Sequence, residues 1–271
     1  MTIGIVGLGL IGGSIGLALR EPGRKIIGFD SDPKSVKTAI DRFCIDSEGT
    51  FEEVAKADVV FVAVPPLKVV SVLEELQKLK GPDTVFTDCT SVKSSVSEWA
   101  KTTQCPDFIV GHPMAGHENS GAAFASAWMY RGAKWILSPT KCTSKAALSK
   151  VEALVKAMGA IPVRMDATQH DHQVATLSHL PHAIAAALVQ MRAEFEGEDV
   201  SGGSWKDLTR VGGVDPNLWT QIFMENRVEL SKSIQDLEQR LAQIRQHLDT
   251  GNSAEIKKYL EQSRKAKKAD K

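Results

Sequence analysis

The segment GHPMAGHENSG, residues 111–121, gathers two imidazoles and a carboxylate in a stretch otherwise rich in glycine and alanine. His112 stands between Gly111 and Pro113. The glycine permits close approach of backbone or ligand, and the proline biases His112 toward extended backbone. An imidazole held that way at the end of a strand can take a proton near pH 7, so His112 reads as a general base. Ser91, in VFTDCTSVKSSV, falls at the start of a helix, where capping and a catalytic hydroxyl are compatible. His179 and His182, three residues apart in SHLPH, can share a helix face. Their spacing also suits a metal, but no HExxH or aspartate-rich set accompanies them. Arg210, ahead of a Gly-Gly turn in DLTRVGGVDPNLW, is placed as a fork for a carboxylate. The alternative for it is an ion pair with Asp207 or Asp215. His170 and His172 read as solvated residues in the first turn of a helix.

A second constellation lies at the start of the chain. GLGLIG supplies Gly7, Gly9 and Gly12 directly after a strand-like run and at the opening of a helix. The first glycine allows the tight turn, the second the approach of a pyrophosphate, the third close packing of helix on strand. The helix N-terminus then offers free N–H groups to phosphates. Gly7, Leu8, Gly9, Leu10, Ile11 and Gly12 are therefore expected to line a dinucleotide, with Ser91 nearby. Asp30 follows Gly12 by eighteen residues at the end of the second strand. A carboxylate there accepts from both ribose hydroxyls and repels a 2′-phosphate, which favours NAD over NADP. A helix cap is the other use for Asp30 or Asp32, and it suits Asp32.

These residues need a scaffold, and the chain alternates strand and helix patterns to provide it. TIGIVG, KIIGFD, ADVVFVAV, DTVFTD, DFIVG, KWILSP and IPVRM are strand-like, with helical patterns between most of them. Such regular alternation predicts a doubly wound, mostly parallel, Rossmann-like α/β sheet over residues 1–165. From residue 166 to 271 only helical patterns remain, predicting an all-helical substrate and dimerisation domain. Pro181 should kink its first helix. Leu230, Ile234, Leu237, Leu241, Ile244 and Leu248 form a stripe on one long helix running on from Pro216, which points to a homodimer.

Lysine plus arginine equal aspartate plus glutamate at 33 each, so no net field recruits nucleic acid or membrane. The basic end, SRKAKKADK, reads as a solvated tail. Cys44, Cys89, Cys105 and Cys142 lack metal or disulfide spacing and suit a reducing compartment. The strand-like start leaves no room for a signal peptide, and no apolar run approaches membrane-spanning length. The expectation is a cytoplasmic protein.

GLGLIGGS, TDCTSVK, GHPMAGHENSG, SHLPH and DLTRVGGVDPNLW, in this order over nearly the whole chain, resemble the prephenate and arogenate dehydrogenases of tyrosine biosynthesis. The resemblance implies a nucleotide domain, a helical dimerisation domain and a cleft between them. It implies oxidative decarboxylation of a cyclohexadienol, with hydride passing from the hydroxyl-bearing ring carbon to NAD and CO2 leaving from the opposite carbon. Carried onto this sequence, His112 accepts the hydroxyl proton and Ser91 orients it. Glu118 helps gate the site by ionic contact, His179 contacts substrate with His182 one turn on, and Arg210 binds a substrate carboxylate. Two departures stand out. His117 replaces a residue that is often small in relatives, and neither an ACT nor a chorismate mutase domain fits in the sequence. Any inhibition by tyrosine would then act at the active site.

Prephenate carries a keto group where arogenate carries an ammonium. Neutral Asn217, aligned with a position that can be acidic in arogenate-using relatives, leans toward prephenate, although Asp215 or Glu118 can still supply charge. Two other readings stay open. GGSWKDLTR nearly matches the GxxxKxxxN of β-hydroxyacid dehydrogenases, with Gly202 and Lys206 in place but Arg210 at the end. A non-catalytic NAD-sensing dimer is the reading from a different class.

Overall fold

The computed structural model describes residues 1–117, 119–196 and 200–269. Met1–Asn226 and Arg227–Lys271 are two compact units. The first is built on an eight-stranded sheet in the order β3-β2-β1-β4-β5-β6-β7-β8. In chain order it contains β1 (Thr2–Val6), α1 (Leu10–Ala18), β2 (Lys25–Phe29), α2 (Pro33–Asp41), β3 (Ser47–Glu48) and α3 (Phe51–Ala55). Then follow β4 (Val59–Val62), α4 (Val69–Leu79), β5 (Val85–Asp88), α5 (Ser94–Thr103) and β6 (Phe108–Pro113). β7 (Lys134–Ser138), α6 (Lys145–Ala157) and β8 (Ile161–Arg164) complete the sheet region.

Every pairing is parallel except β6 with β7, where the chain returns without a helical crossover. Side chains alternate between the faces, as the pleat requires. Val59 and Phe61 of β4 enter one core with Ile3, Ile5, Ile15 and Trp135, while Val60 and Val62 enter the other with Val6, Phe86, Trp99 and Phe108. A strand buried on both sides reads as continuously apolar, and VVFV does. The two-residue β3 has no pattern long enough to read in sequence.

The same unit continues as α7 (Ala167–Val174), a π-helical turn (Ala175–His179), α8 (Leu180–Ala193), α9 (Gly203–Thr209) and α10 (Pro216–Glu225). The anticipated boundary at 165/166 falls between β8 and the α7 cap Asp166, yet the compact unit runs on to Asn226 because α7 is bonded into the sheet's carboxyl edge. Pro181 expresses itself as the π turn, in which the Leu180 N–H donates to the Ala175 carbonyl five residues back. Ala167–Ala193 therefore forms one continuous 27-residue helix, and its most apolar 18-residue stretch, with a mean hydropathy of 1.2, is long and apolar enough to cross a membrane by length and composition alone. The sequence expectation that no apolar run approaches membrane-spanning length is corrected to that extent.

The long helix foreseen from Pro216 is two helices, α10 and α11 (Arg227–Asp249), parted at Asn226, whose amide is drawn inward to bond Asp171 and His179. α11 and α12 (Ser253–Ala269) make up the second unit, joined through Gly251 in the left-handed region at φ 63°. The basic end is solvent-exposed, as expected of a solvated tail, but helical. Through Ala269 it is the exposed last turns of α12.

Candidate active site

The carboxyl edge of the sheet carries both constellations. At the end of β1, Gly7 turns with φ 94°, and a Cβ there would stand 2.5 Å from the Ala63 carbonyl oxygen. A Cβ on Gly12 would stand 1.9 Å from the Gly7 oxygen, so α1 can lean on the turn only through a glycine. Gly9 differs: nothing lies within 4 Å of its Cβ position. It is the N-cap of α1 without a side-chain cap, and the first helical N–H groups there have no intrahelical partner. Asp30, just past β2 and half-buried, accepts from the Leu8 N–H at 2.7 Å and the Asp32 N–H at 2.9 Å, which aims its carboxylate at the loop. An open Gly9, uncapped donors and a fixed carboxylate fit a dinucleotide's pyrophosphate and ribose. Asp32 is the α2 cap, accepting from the Lys34 and Ser35 N–H groups.

His112 sits on β6, opposite Ile136 of β7, at the strand's carboxyl end as foreseen. The neighbouring backbone is fixed by a buried ion pair. Lys93, fully buried, bonds Asp88, Thr90 Oγ1 at 2.9 Å and the Gly111 carbonyl at 2.5 Å. Asp88 Oδ1 accepts the Gly111 N–H at 2.9 Å. Gly111 must be glycine, because a Cβ would lie 2.7 Å from both the Asp88 carbonyl oxygen and Thr87 Oγ1.

His112 Nδ1 lies 2.8 Å from His170 Nε2, with the rings nearly perpendicular at 78°. His170 Nδ1 lies 2.8 Å from Asp171 Oδ1. Asp171 in turn accepts from the Lys93 and Ser94 N–H groups, each at 2.8 Å, and from the Ser94 hydroxyl. Burial raises the Asp171 pKa, but the bonds from His170, Ser94 and Lys93 outweigh it and leave a depressed value. Burial, then the charges of His170, Lys93 and His179, hold His112 well below the usual histidine range. His170 is thus not a solvated residue but a buried member of the site, 1% exposed, whereas His172 is exposed as expected. Ser91 does not start a helix. α5 begins at Ser94 with Lys93 as its N-cap, and the Ser91 hydroxyl, three residues earlier, is not bonded to His112.

The helical segments bring a second group together. His179 is 1% exposed, its Nδ1 3.2 Å from the Asn226 amide, and burial pushes its pKa down to about 4. The half-buried His182 is the accessible imidazole, its ring stacked 3.5 Å from Trp219 and its Nδ1 2.8 Å from the Ser178 carbonyl. Burial, then the charge of Arg210, lowers its pKa. Arg210 is exposed at the C-cap of α9 and forms no ion pair with Asp207 or Asp215. Asn217 is exposed in the first turn of α10, where Asp215 caps its N–H at 2.8 Å. Glu118 lies outside the described residues. His117 is exposed and stacks on Phe124.

His170, Asp171, Lys93, Trp219 and Asn226 were not foreseen. A signal existed for the first two. Buried Ala167, His170, Asp171, Val174, Ala175 and His179 repeat at three-four spacing, which places both polar residues on the helix's inner face.

Residues 15–163 match the family model described as prephenate dehydrogenase, nucleotide-binding domain, and residues 166–262 that described as prephenate dehydrogenase, dimerization domain. A prephenate dehydrogenase of Bacillus subtilis is 30% identical, the match covering 96% of this chain and 73% of that one. The prephenate dehydrogenase of Aquifex aeolicus, solved with hydroxyphenyl propionate and NAD+, superposes with a TM-score of 0.91 at 31% identity, covering 100% of this chain and 98% of the other. The arogenate dehydrogenase of Synechocystis gives 0.85 at 30% identity, with full coverage of both chains.

Proposed function

The chain belongs to the prephenate dehydrogenase family, and on that premise we propose that it catalyses NAD-dependent oxidative decarboxylation of prephenate to 4-hydroxyphenylpyruvate. The observation that carries this reading is His112: half-buried on the sheet edge that bears the glycine loop, pressed toward its neutral form, and with no partner on Nε2 among the described residues. A neutral imidazole so placed takes the hydroxyl proton of a bound cyclohexadienol. The O–H electron pair then builds carbonyl character at the ring carbon, hydride leaves that carbon, CO2 leaves the opposite one, and the ring becomes aromatic. The nicotinamide, when bound, supplies the hydride acceptor. The free N–H groups at the start of α1, from Gly9 to Gly12, would hold its pyrophosphate, with the turn at Gly7 and Leu8 bonded beneath them, and Asp30 would take the ribose hydroxyls and select NAD over NADP.

Arg210, in no ion pair among the described residues, binds a carboxylate of the substrate, and His182 on Trp219 lines the same pocket. Ser91 contributes its hydroxyl near the cofactor rather than a helix cap. Nucleotide binding falls to residues 1–165 and substrate binding to 166–271. The helix Ala167–Ala193 is only 28% buried over its most apolar stretch, and Leu177 (74% exposed) and Met191 (57%) project from it. A second copy of the chain covers that surface in a homodimer. Tyrosine shares its phenol ring and carboxylate with the product and competes for the same pocket. Four free cysteines suit a reducing cytoplasm.

Reduced-nicotinamide absorbance, read with NAD or NADP and with prephenate or arogenate, tests the proposal. Prephenate with NAD should turn over, and His112→Gln should lower kcat by about 10²- to 10⁴-fold with NAD affinity retained. Turnover of arogenate alone would keep the mechanism and reassign the substrate. An unaffected His112→Gln variant would remove His112 as the base.

A further inference from the structure

Adjacent residues on α7 converge on the proposed base from below, and their hydrogen bonds permit only certain proton positions. Asp171 receives two backbone N–H groups and one hydroxyl from the start of α5, so its carboxylate acts only as an acceptor. Its Oδ1 therefore requires a proton on His170 Nδ1, 2.8 Å away. A neutral His170 then has a bare Nε2, which must accept from His112 Nδ1–H at 2.8 Å. The opposite arrangement needs a doubly protonated His170. The two arrangements leave the proton of His112 on opposite ring nitrogens, Nδ1 in the first and Nε2 in the second.

We propose that His170 and Asp171 are positioning residues that keep the His112 proton on Nδ1, so that Nε2 meets the substrate hydroxyl bare. This rests on the reading of His112 as the base and adds what sets its tautomer. When Nε2 takes the hydroxyl proton, the O–H bond breaks and the Nε2–H bond forms. The Nδ1–H stays in place, donating to His170. The positive charge gained by His112 is met through His170 by the Asp171 carboxylate, with no second proton moved. The N-terminus of α5, lacking a side-chain cap of its own, holds that carboxylate in its ionised form.

A purely structural role, in which Asp171 caps α5 and nothing more, predicts a different outcome on substitution. In Asp171→Asn the amide oxygen in the Oδ2 position keeps the Ser94 N–H and hydroxyl, while the amide nitrogen takes the Oδ1 position, donates to His170 Nδ1 and leaves the Lys93 N–H without its acceptor. The chain of protons reverses, and His112 Nε2 becomes protonated. An isosteric Asp-to-Asn change that inverts a histidine tautomer in a serine-protease triad costs about 10⁴ in kcat. The experiment is ¹⁵N NMR of the full-length protein labelled at histidine ring nitrogens, together with kcat, KM and NAD affinity. The wild type at neutral pH should show His112 protonated on Nδ1 and bare on Nε2, and Asp171→Asn should show the reverse. Its kcat should fall about 10²- to 10⁴-fold with NAD affinity unchanged.

A second pair covers a failure of that variant to fold. His170→Gln, whose side-chain oxygen can accept from His112 Nδ1–H, should retain at least tenfold more kcat than His170→Phe. A wild-type His112 protonated on Nε2, an Asp171→Asn enzyme within threefold of wild-type kcat, or equal activity of Gln and Phe at 170 would each overturn the inference. If His112→Gln is inactive while Asp171→Asn is normal, the base stands and the relay falls. If His112→Gln is normal, both fall.

Discussion

Gly9 and Gly12 lie three residues apart in one loop, yet alanine at each should damage a different property. At Gly12 the added methyl would sit 1.9 Å from the Gly7 carbonyl oxygen, against an ordinary carbon–oxygen contact of roughly 3.3 Å, so α1 must retreat by about 1.4 Å. The obstacle is backbone and cannot rotate away. Overpacking of that kind costs about 3 kcal/mol at the upper end, and the better helix propensity of alanine returns about 1, leaving about 2 kcal/mol of destabilisation. A unit of this size should then melt about 4–8 °C lower. At Gly9 the methyl meets nothing, and the backbone at φ −80° suits alanine. Loss of a glycine N-cap costs about 0.5–1 kcal/mol, and the stiffer unfolded chain returns a similar amount, so the melting temperature should hold. The methyl nevertheless stands where the pyrophosphate must approach. Losing one charge-assisted hydrogen bond, about 1.5–3 kcal/mol, raises the Kd for NAD by about 10- to 150-fold. Calorimetric titration with NAD and thermal melts without it measure the two effects separately. A Gly9→Ala variant with wild-type NAD affinity, or one melting as low as Gly12→Ala, would refute this reading of the loop.

Further outcomes follow from the helical side of the site. Arg210→Gln should raise KM for prephenate by about 10- to 150-fold, the worth of a charge-assisted bond to a carboxylate, with little change in KM for NAD; an unchanged KM in steady-state assays would remove Arg210 from the pocket. His179 has a folded pKa of about 4 against an unfolded 6.5, so between those values the unfolded chain binds the extra proton and stability falls as pH drops, by about 3 kcal/mol in full. Urea melts from pH 7 to 4 should show that loss and His179→Gln should flatten it, whereas identical pH profiles would refute the assignment. Asn217→Asp should improve turnover of arogenate relative to prephenate in the nicotinamide assay, and an unchanged ratio would clear Asn217 of a role in substrate choice. Burial, with the neighbouring charges, lowers the His112 pKa and should keep kcat/KM for prephenate level from pH 8 to pH 7, with the acid limb below histidine's usual 6.5; a limb at or above that value would mean that His112 is not held neutral.

By itself the sequence determined what local chemistry determines. Glycine spacing after an apolar run specifies a phosphate-binding turn, because only residues without a Cβ fit at Gly7 and Gly12. Alternating strand and helix patterns specify a doubly wound sheet, and Gly-His-Pro places His112 at a strand's end. Only tertiary structure decided which polar residues face one another. Three-four spacing sets His170 and Asp171 on one face of α7 apart from exposed His172, but what that face packs against, and so which groups the two side chains meet, is decided only by folding. Ser91 reads as a helix cap, but the α5 N-terminus is capped across space by Asp171, a partner 77 residues from Ser94. The continuous stripe beyond Pro216 gives no hint that Asn226 leaves the helix to bond Asp171 and His179. Local pattern fixes an element when the competing forces are local. A buried polar network is fixed by satisfying every donor and acceptor at once, and that balance exists only after the chain has folded.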